Sequence, residues 1–291
     1  MNHVLTLIAN RAATTLDAAT IARVREATNG SEPDILSPGE AADILVAKPP
    51  DLDVVRAALE KKPIDAIAAK ARGRRKGLLI ADMDSTIITS ETLDEMAGYA
   101  GLKDKIAAIT ARAMNNELNF EDALRERLAM LKGLSLDVLE KTWARTELTG
   151  GARELVATMR AHNALTALVS GGFTFFTERV AALLGFDTHR ANILLDDGVA
   201  LLGAVREPIL GREAKVTALQ ELATQRGVKL GATLAVGDGA NDLGMLAEAG
   251  LGIAFHAKPV VAASARARVD HADLRALLFA QGYRLSDIRP T

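Results

Sequence analysis

Cysteine is absent from the 291 residues. That excludes disulfide frameworks, thiolate metal sites and cysteine nucleophiles, and it fits a reducing, cytoplasmic compartment. Aromatic residues are scarce, at 3% with a single tryptophan, so the stacking platforms that hold single-stranded nucleic acid have little to build on. Charge of one sign is lacking too: 35 basic residues against 37 acidic ones leave a net −2, no field to draw the chain to DNA or anionic lipid. No run reaches the ~18 uninterrupted apolar residues that a membrane span needs. The opening MNHVLTLIANRAATTLD has neither the basic leader nor the long apolar stretch of a secretory signal. What is present, 49% hydrophobic and 25% charged residues, is the balance of an ordinary globular protein. The length suits two domains at roughly 150 residues each.

The clearest division is Ala71-Arg-Gly-Arg-Arg-Lys-Gly77, whose charges read as a solvated connector rather than a nucleic-acid patch. It separates residues 1–73 from residues 74–291. Before it, Val4 to Ala9 reads as a strand, and Leu16 to Thr28 as a helix closed by Asn29-Gly30. Ile44 to Ala47 is a short strand, and Asp51 caps a helix that Pro63 interrupts. The order β-α-β-β-α resembles a shortened ACT-type regulatory domain that lacks its final strand. After the connector, Leu78 to Asp84, Leu165 to Ser170, Thr233 to Asp238 and Gly252 to Phe255 are short apolar runs separated by helix-like segments. Such runs suit strands buried on both faces of a parallel sheet. Between the first two, about residues 91–162 read as an inserted helical cap. Asn192 to Val205, with its Asp-Asp-Gly turn, reads as a hairpin.

Three of the four runs end in polar or glycine-rich turns, and in open α/β sheets ligands bind outside the carboxyl ends of the strands. Asp82-Met-Asp84 closes the first run. Its two carboxylates face one site only if the backbone turns there, and together they need a cation or protons to offset their repulsion. Hard oxygen ligands of this kind favour Mg²⁺. Asp238-Gly-Ala-Asn241-Asp242 adds a further carboxylate and permits close backbone approach, although Asn241 or Asp242 alone reads equally well as a helix cap. Ser170-Gly171-Gly172 offers a hydroxyl and free amides for phosphate oxygens, and taken alone is an ordinary loop. Lys215, on a predicted helix, could neutralise a phosphate or simply be solvated. The five histidines show no metal-ligand spacing and read as structural, and Trp143 reads as packing.

Taken together, Asp82, Asp84, Ser170, Lys215 and Asp238 follow the order of the haloacid-dehalogenase-like (HAD) hydrolases. The chain resembles that superfamily over everything after the connector. Asp82-Met-Asp-Ser-Thr-Ile-Ile-Thr-Ser-Glu91, Leu118-Asn-Phe120-Glu-Asp-Ala-Leu-Arg-Glu-Arg127, Val169-Ser-Gly-Gly-Phe173 and Ala235-Val-Gly-Asp-Gly-Ala-Asn-Asp242 are similar to the phosphoserine phosphatase branch. The resemblance implies an α/β fold: a Rossmann-like parallel sheet with an inserted helical cap, beside a small N-terminal α+β domain. It implies Mg²⁺-dependent hydrolysis of O-phospho-L-serine to L-serine and phosphate, the last step of L-serine biosynthesis. Asp82 would be the nucleophile and form an aspartyl-phosphate, and Asp84 would be the general acid and base. Asp82, the backbone carbonyl of Asp84 and Asp238 would hold the metal. Ser170, Gly171, Lys215 and Asn241 would hold the phosphoryl group, with Asp242 orienting Lys215 or a metal-bound water. Glu91 would take the substrate amine and Arg127 its carboxylate, while Met114 and Phe120 would line the closed cap. Against this, Arg127 could be a helix-surface ion pair with Glu121, Asp122 or Glu126. A homodimer is a further expectation. Other readings are a relative acting on a different phosphomonoester, transfer to an acceptor alcohol such as homoserine, and a ligand sensor with a vestigial catalytic core.

Overall fold

The computed structural model describes residues 2–114 and 118–289, with the side chains of residues 111, 113 and 114 outside the description. The N-terminal unit runs β1 (His3–Ala9), α1 (Ala18–Thr28), β2 (Asp34–Ser37), β3 (Ala41–Val46), α2 (Leu52–Ala58) and β4 (Ile64–Lys70). Helix α1 starts where the Asp17 carboxylate accepts from the Thr20 amide and stops at Asn29, whose left-handed backbone closes the last turn. The strand missing from the sequence reading is present. Segment β4, Ile-Asp-Ala-Ile-Ala-Ala-Lys, is rich in alanine, a poor strand former, and is held by antiparallel pairing to β1 along its whole length. The sheet order β2-β3-β1-β4, antiparallel throughout, completes the β-α-β-β-α-β pattern. Leu5, Leu7 and Ile44 face α1 and α2, while Ile8, Ala41 and Ile67 on the opposite face join the main core.

The connector is not simply solvated. Arg74 is largely shielded from water and donates to the Asp43 carboxylate, the Thr6 hydroxyl and the carbonyls of Phe279 and Ala280. It therefore joins the N-terminal sheet to the far end of the chain.

The larger unit contains β5 (Leu78–Ala81), α3 (Thr92–Tyr99), α4 (Lys103–Met114), α5 (Phe120–Ala129), α6 (Asp137–Trp143), α7 (Ala152–Ala161), β6 (Leu165–Phe173), α8 (Thr174–Leu184), β7 (Thr188–Asn192), β8 (Leu194–Asp196), β9 (Leu201–Val205), α9 (Arg212–Arg226), β10 (Thr233–Gly237), α10 (Leu243–Glu248), β11 (Leu251–Phe255), α11 (Pro259–Ser264), β12 (Ala267–Val269) and α12 (Ala276–Ala280). Six strands form a parallel sheet in the order β12-β11-β10-β5-β6-β7. The period-2 alternation of a strand divides its buried residues between two cores. Leu79 and Ala81 pack on the side of α7, α8 and α12, while Leu78 and Ile80 pack on the side of α9 and α10.

Within the helical insertion, α7 packs against β6 and α8 and so belongs to the sheet's helical layer. The cap consists of α3 to α6, and its two connecting segments pair with each other. Thr89 N donates to Glu147 O at 3.0 Å and Thr149 N to Ile87 O at 2.9 Å. The hairpin β8–β9 forms around Asp196-Asp197-Gly198 and lies against α5.

Candidate active site

The register of the parallel sheet brings the polar turns together. Ala81 is level with Leu168 on one side and Val236 on the other. Asp82, Ser170 and Asp238 therefore emerge side by side at the carboxyl edge, with β5 in the middle. After Asp82 the chain turns sharply: Asp84 keeps an extended backbone and Ser85 takes φ +53. This turn is the one that the Asp82–Asp84 spacing required for both carboxylates to face one site.

Asp82 is almost fully buried and accepts from the Met83 amide at 2.8 Å. Buried charge of this kind needs a partner, and Lys215 supplies it from the first turn of α9. Its ammonium lies 2.8 Å from Asp82 and 2.6 Å from Asp242, with all three side chains closed off from water. Burial works against that ammonium, but Asp242 and Asp82 outweigh it and hold its pKa above the ordinary value. Lys215 is thus a fixed cation. Asp242 is itself fixed, accepting also from the Gly239 amide at 3.1 Å.

Asp84 accepts from the amide and the hydroxyl of Thr92, at 3.2 and 3.3 Å. Burial, then the carboxylates of Glu91 and Asp82, hold its carboxyl well above the usual range. It stands so close to Gly172 that a Cβ there would meet its Oδ2 at 2.7 Å. Ser170 is buried, and its hydroxyl accepts from the Gly172 amide at 2.9 Å.

Carboxylate oxygens of Asp82, Asp238 and Asp242 lie within 4.8 Å of one another, the one such group found among the described residues. Both oxygens of Asp242 are engaged, one by the Lys215 ammonium and one by the Gly239 amide. The lysine and the Met83 amide use only Oδ1 of Asp82, so Asp82 and Asp238 are the carboxylates that could hold a cation. Asp238 accepts from the Thr86 hydroxyl at 3.4 Å, and among the described residues the cation nearest to it is Lys258, at 3.9 Å. Burial and the adjacent Asp82 push its carboxyl up to about 7. Two crowded, buried, hard oxygen donors fit a small divalent cation, which would relieve that repulsion. The side chain of Asp84 lies outside this group, so an Asp84 contribution rests on its backbone carbonyl.

The cap closes over the site. Phe120, at the start of α5, sits against Gly171, where a Cβ would meet its ring at 2.9 Å. Glu91 accepts from the Ser85 hydroxyl at 2.8 Å. The carboxylates that made a surface ion pair an alternative for Arg127 are paired elsewhere: Glu121 and Asp122 with Arg125, and Glu126 with Arg112. Arg127 is half-buried. Its Nε donates to the Ala123 carbonyl, and among the described residues no carboxylate comes within ion-pairing distance of it. Burial lowers its pKa, opposed by Asp94 and Glu91. Asn241 stands at the mouth of the Asp238 turn, beside Gly239. Met114 closes α4, but its side chain lies outside the described residues.

The sequence reading passed over two residues of this shell. Thr92 was legible as a helix-opening threonine directly after Glu91. Asn192 carried no signal. It is buried at the end of β7, donates to the Gly171 carbonyl at 2.8 Å and accepts from the Leu210 amide at 2.7 Å.

Residues 79–247 match the family model of the haloacid dehalogenase-like hydrolases. A phosphoserine phosphatase from Archaeoglobus fulgidus is 43% identical over 188 residues, covering 65% of this chain and 55% of that protein. The chain thus spans little more than half the length of that relative. The crystal structure of a probable phosphoserine phosphatase from Vibrio cholerae, in unliganded form, superposes with a TM-score of 0.80 at 33% identity, over 98% of this chain and 88% of that one. A phospho-aspartyl intermediate analogue of a phosphoserine phosphatase superposes with a TM-score of 0.66 at 40% identity, over 70% of this chain and 98% of that one. With that model matching more than half of the chain, and with the two aspartates, the lysine and the third carboxylate meeting at one sheet edge, the protein belongs to the haloacid dehalogenase-like hydrolase family.

Proposed function

We propose that the protein is a Mg²⁺-dependent phosphatase that converts O-phospho-L-serine to L-serine and phosphate. The observation that carries this reading is the pairing of a buried, lysine-held carboxylate, Asp82, with a second carboxyl two residues on, Asp84, whose pKa burial and the neighbouring carboxylates raise well above the usual range. The similarity to phosphoserine phosphatases supports the choice of substrate.

In the first half-reaction an oxygen of Asp82 forms a bond to phosphorus as the bond from phosphorus to the serine oxygen breaks, and Asp84 gives its proton to that oxygen. In the second, a water attacks the aspartyl-phosphate, Asp84 takes its proton, phosphate departs and the Asp82 carboxylate is restored. Lys215, the Ser170 hydroxyl, the Gly171 amide and Asn241 hold the phosphoryl oxygens. Mg²⁺, held by Asp82, Asp238 and the Asp84 carbonyl, would offset the repulsion between an anionic nucleophile and an anionic phosphate. Glu91 takes the ammonium of the substrate. Arg127 takes its carboxylate, where a guanidinium can make a bidentate contact. Phe120 walls the closed cap and excludes water until the first step is complete.

A division into residues 1–73 and 74–291, a homodimeric state and a cytoplasmic location belong to the same reading. Among the described residues no helix is long and apolar enough to cross a membrane.

The test is phosphate release with Mg²⁺ from phospho-L-serine, phospho-L-threonine, phosphohomoserine, phosphoethanolamine and an aryl phosphate. A large preference for phospho-L-serine, lost with EDTA, is the expected result. Equal activity across the panel would retain the phosphatase core and remove the substrate assignment.

A further inference from the structure

The hairpin β8–β9 rises from the sheet edge beside the site and ends against the cap. Its base is fixed by Asn192, whose amide group bonds both the Gly171 carbonyl and the Leu210 amide. Its other end pairs with the segment between α5 and α6. Gly133 N donates to Leu201 O at 2.8 Å, Leu201 N to Leu134 O at 2.9 Å, and Leu136 N to Val199 O at 3.0 Å. The cap is therefore tied to the core at a second place, apart from its own two connecting segments.

Along β9 the residues facing α5 are Leu201, Gly203 and Val205, following the two-residue alternation of a strand. Leu201 and Val205 are buried in one cluster with Leu124, Leu128 and Leu131. Between them Gly203 takes φ +71, and a Cβ on it would meet Lys132 Cβ at 2.9 Å and the Leu128 carbonyl at 3.0 Å. One of these obstacles is backbone in the last turn of α5 and the other a Cβ in the turn that follows it, so neither can move aside by a rotamer change. The last turn of the helix, which carries Arg127, must shift. Leu128 follows Arg127 directly, and Phe120 opens the same helix.

We infer that Gly203 is a specificity-determining positioning residue: the hairpin braces α5 so that Arg127 stands at a fixed height over the Ser170–Gly172 loop, to which Asn192 anchors the same hairpin. Gly203 touches no substrate and acts through Arg127. The inference rests on the reading of Arg127 as the group that takes the substrate carboxylate.

The experiment compares wild type, Gly203→Ala and Gly203→Val on phospho-L-serine, on phosphoethanolamine, which lacks the carboxylate, and on an aryl phosphate. Displacing a binding group by around an ångström costs roughly tenfold to a hundredfold. Gly203→Val should accordingly raise KM for phospho-L-serine about tenfold or more, with Gly203→Ala between it and wild type. The kcat/KM for phosphoethanolamine and aryl phosphate should stay within about twofold. In an Arg127→Ala background Gly203→Val should add less than about twofold, because the two residues act through one contact. An unchanged preference, an equal loss on all three substrates, or the full Gly203 effect persisting without Arg127 would each overturn the inference. Should Gly203→Val not fold, Gly203→Ala and Leu201→Ala, which withdraws packing from the same helix, decide by the same ratios. A wild type with no preference for phospho-L-serine over phosphoethanolamine would instead refute the reading of Arg127, and the role of Gly203 with it. Loss of preference only in the variants separates the two.

Discussion

Asp84 shows how a side chain acquires a chemical role from its surroundings. A solvated aspartate would be ionised at neutral pH and have no proton to give to a leaving alkoxide. Here burial under the closed cap, then the carboxylates of Glu91 and Asp82, hold the carboxyl well above the usual range, toward the protonated form. An acid works only below its pKa, and its contribution is lost as pH rises through that value. The rate on phospho-L-serine should therefore decline on the alkaline side. An aryl phosphate, whose leaving group needs no proton, should show little of that decline. Glu91→Gln removes one of the negative charges that raise Asp84. The decline should then begin at lower pH, measured on kcat at saturating substrate so that weaker binding does not enter. For the proposed nucleophile, Asp82→Asn keeps the shape and removes the attacking charge. Turnover should fall by roughly 10⁴-fold or more, read in single-turnover phosphate release, while circular dichroism stays unchanged.

At the scale of elements, what the sequence made legible depended on how locally each feature was encoded. The strands β5, β6, β10 and β11 were readable because burial on both faces demands an unbroken apolar run, and the reactive residues follow those runs directly. Segments β4 and β7 were not. Ile64–Lys70 is rich in alanine and Thr188–Asn192 mostly polar, and each is a strand because a neighbour supplies the hydrogen bonds. Asn192 was illegible for the same reason, since both of its partners are distant in sequence. Arg127 was legible as a candidate but could not be separated from a surface ion pair by sequence alone, because only the fold shows that Arg125 and Arg112 take the nearby carboxylates. Helix α5 also yields a prediction of its own. Asn119 caps it by accepting from the Asp122 amide at 2.8 Å, so Asn119→Ala should cost the helix about 1 kcal/mol. Because Phe120 occupies the first turn, the loss should appear as a raised KM for phospho-L-serine, with the midpoint of global unfolding almost unchanged.

For the whole molecule the question is whether the N-terminal unit is a tethered appendage or part of one cooperative body. Its outer sheet face is buried against the main core, and polar clamps cross the junction. The Asp65 carboxylate accepts three backbone amides, from Asp270, His271 and Ala272. Glu40 pairs with Arg275 at 2.7 Å with both side chains buried. Arg74 binds Asp43 and Thr6 on one side and the carbonyls of Phe279 and Ala280 on the other. A tethered module would have left that face polar and those charges in water, so wild type should unfold in a single transition. Removing one partner of a buried pair strands the other, which typically costs about 3–5 kcal/mol. Arg74→Ala leaves Asp43 with only the Thr6 hydroxyl, so the loss should fall on the junction rather than on either core. Calorimetry of the variant should then resolve a lower transition, in which the N-terminal unit melts, from a higher one close to that of wild type. Phosphatase activity should persist between the two, since no group at the catalytic edge contacts Arg74. Arg74→Lys should restore little, because an ammonium cannot span Asp43 and two carbonyls as the planar guanidinium does. A single, barely lowered transition in Arg74→Ala would mean that apolar contact alone, through Ile8, Ala41 and Ile67, joins the two units.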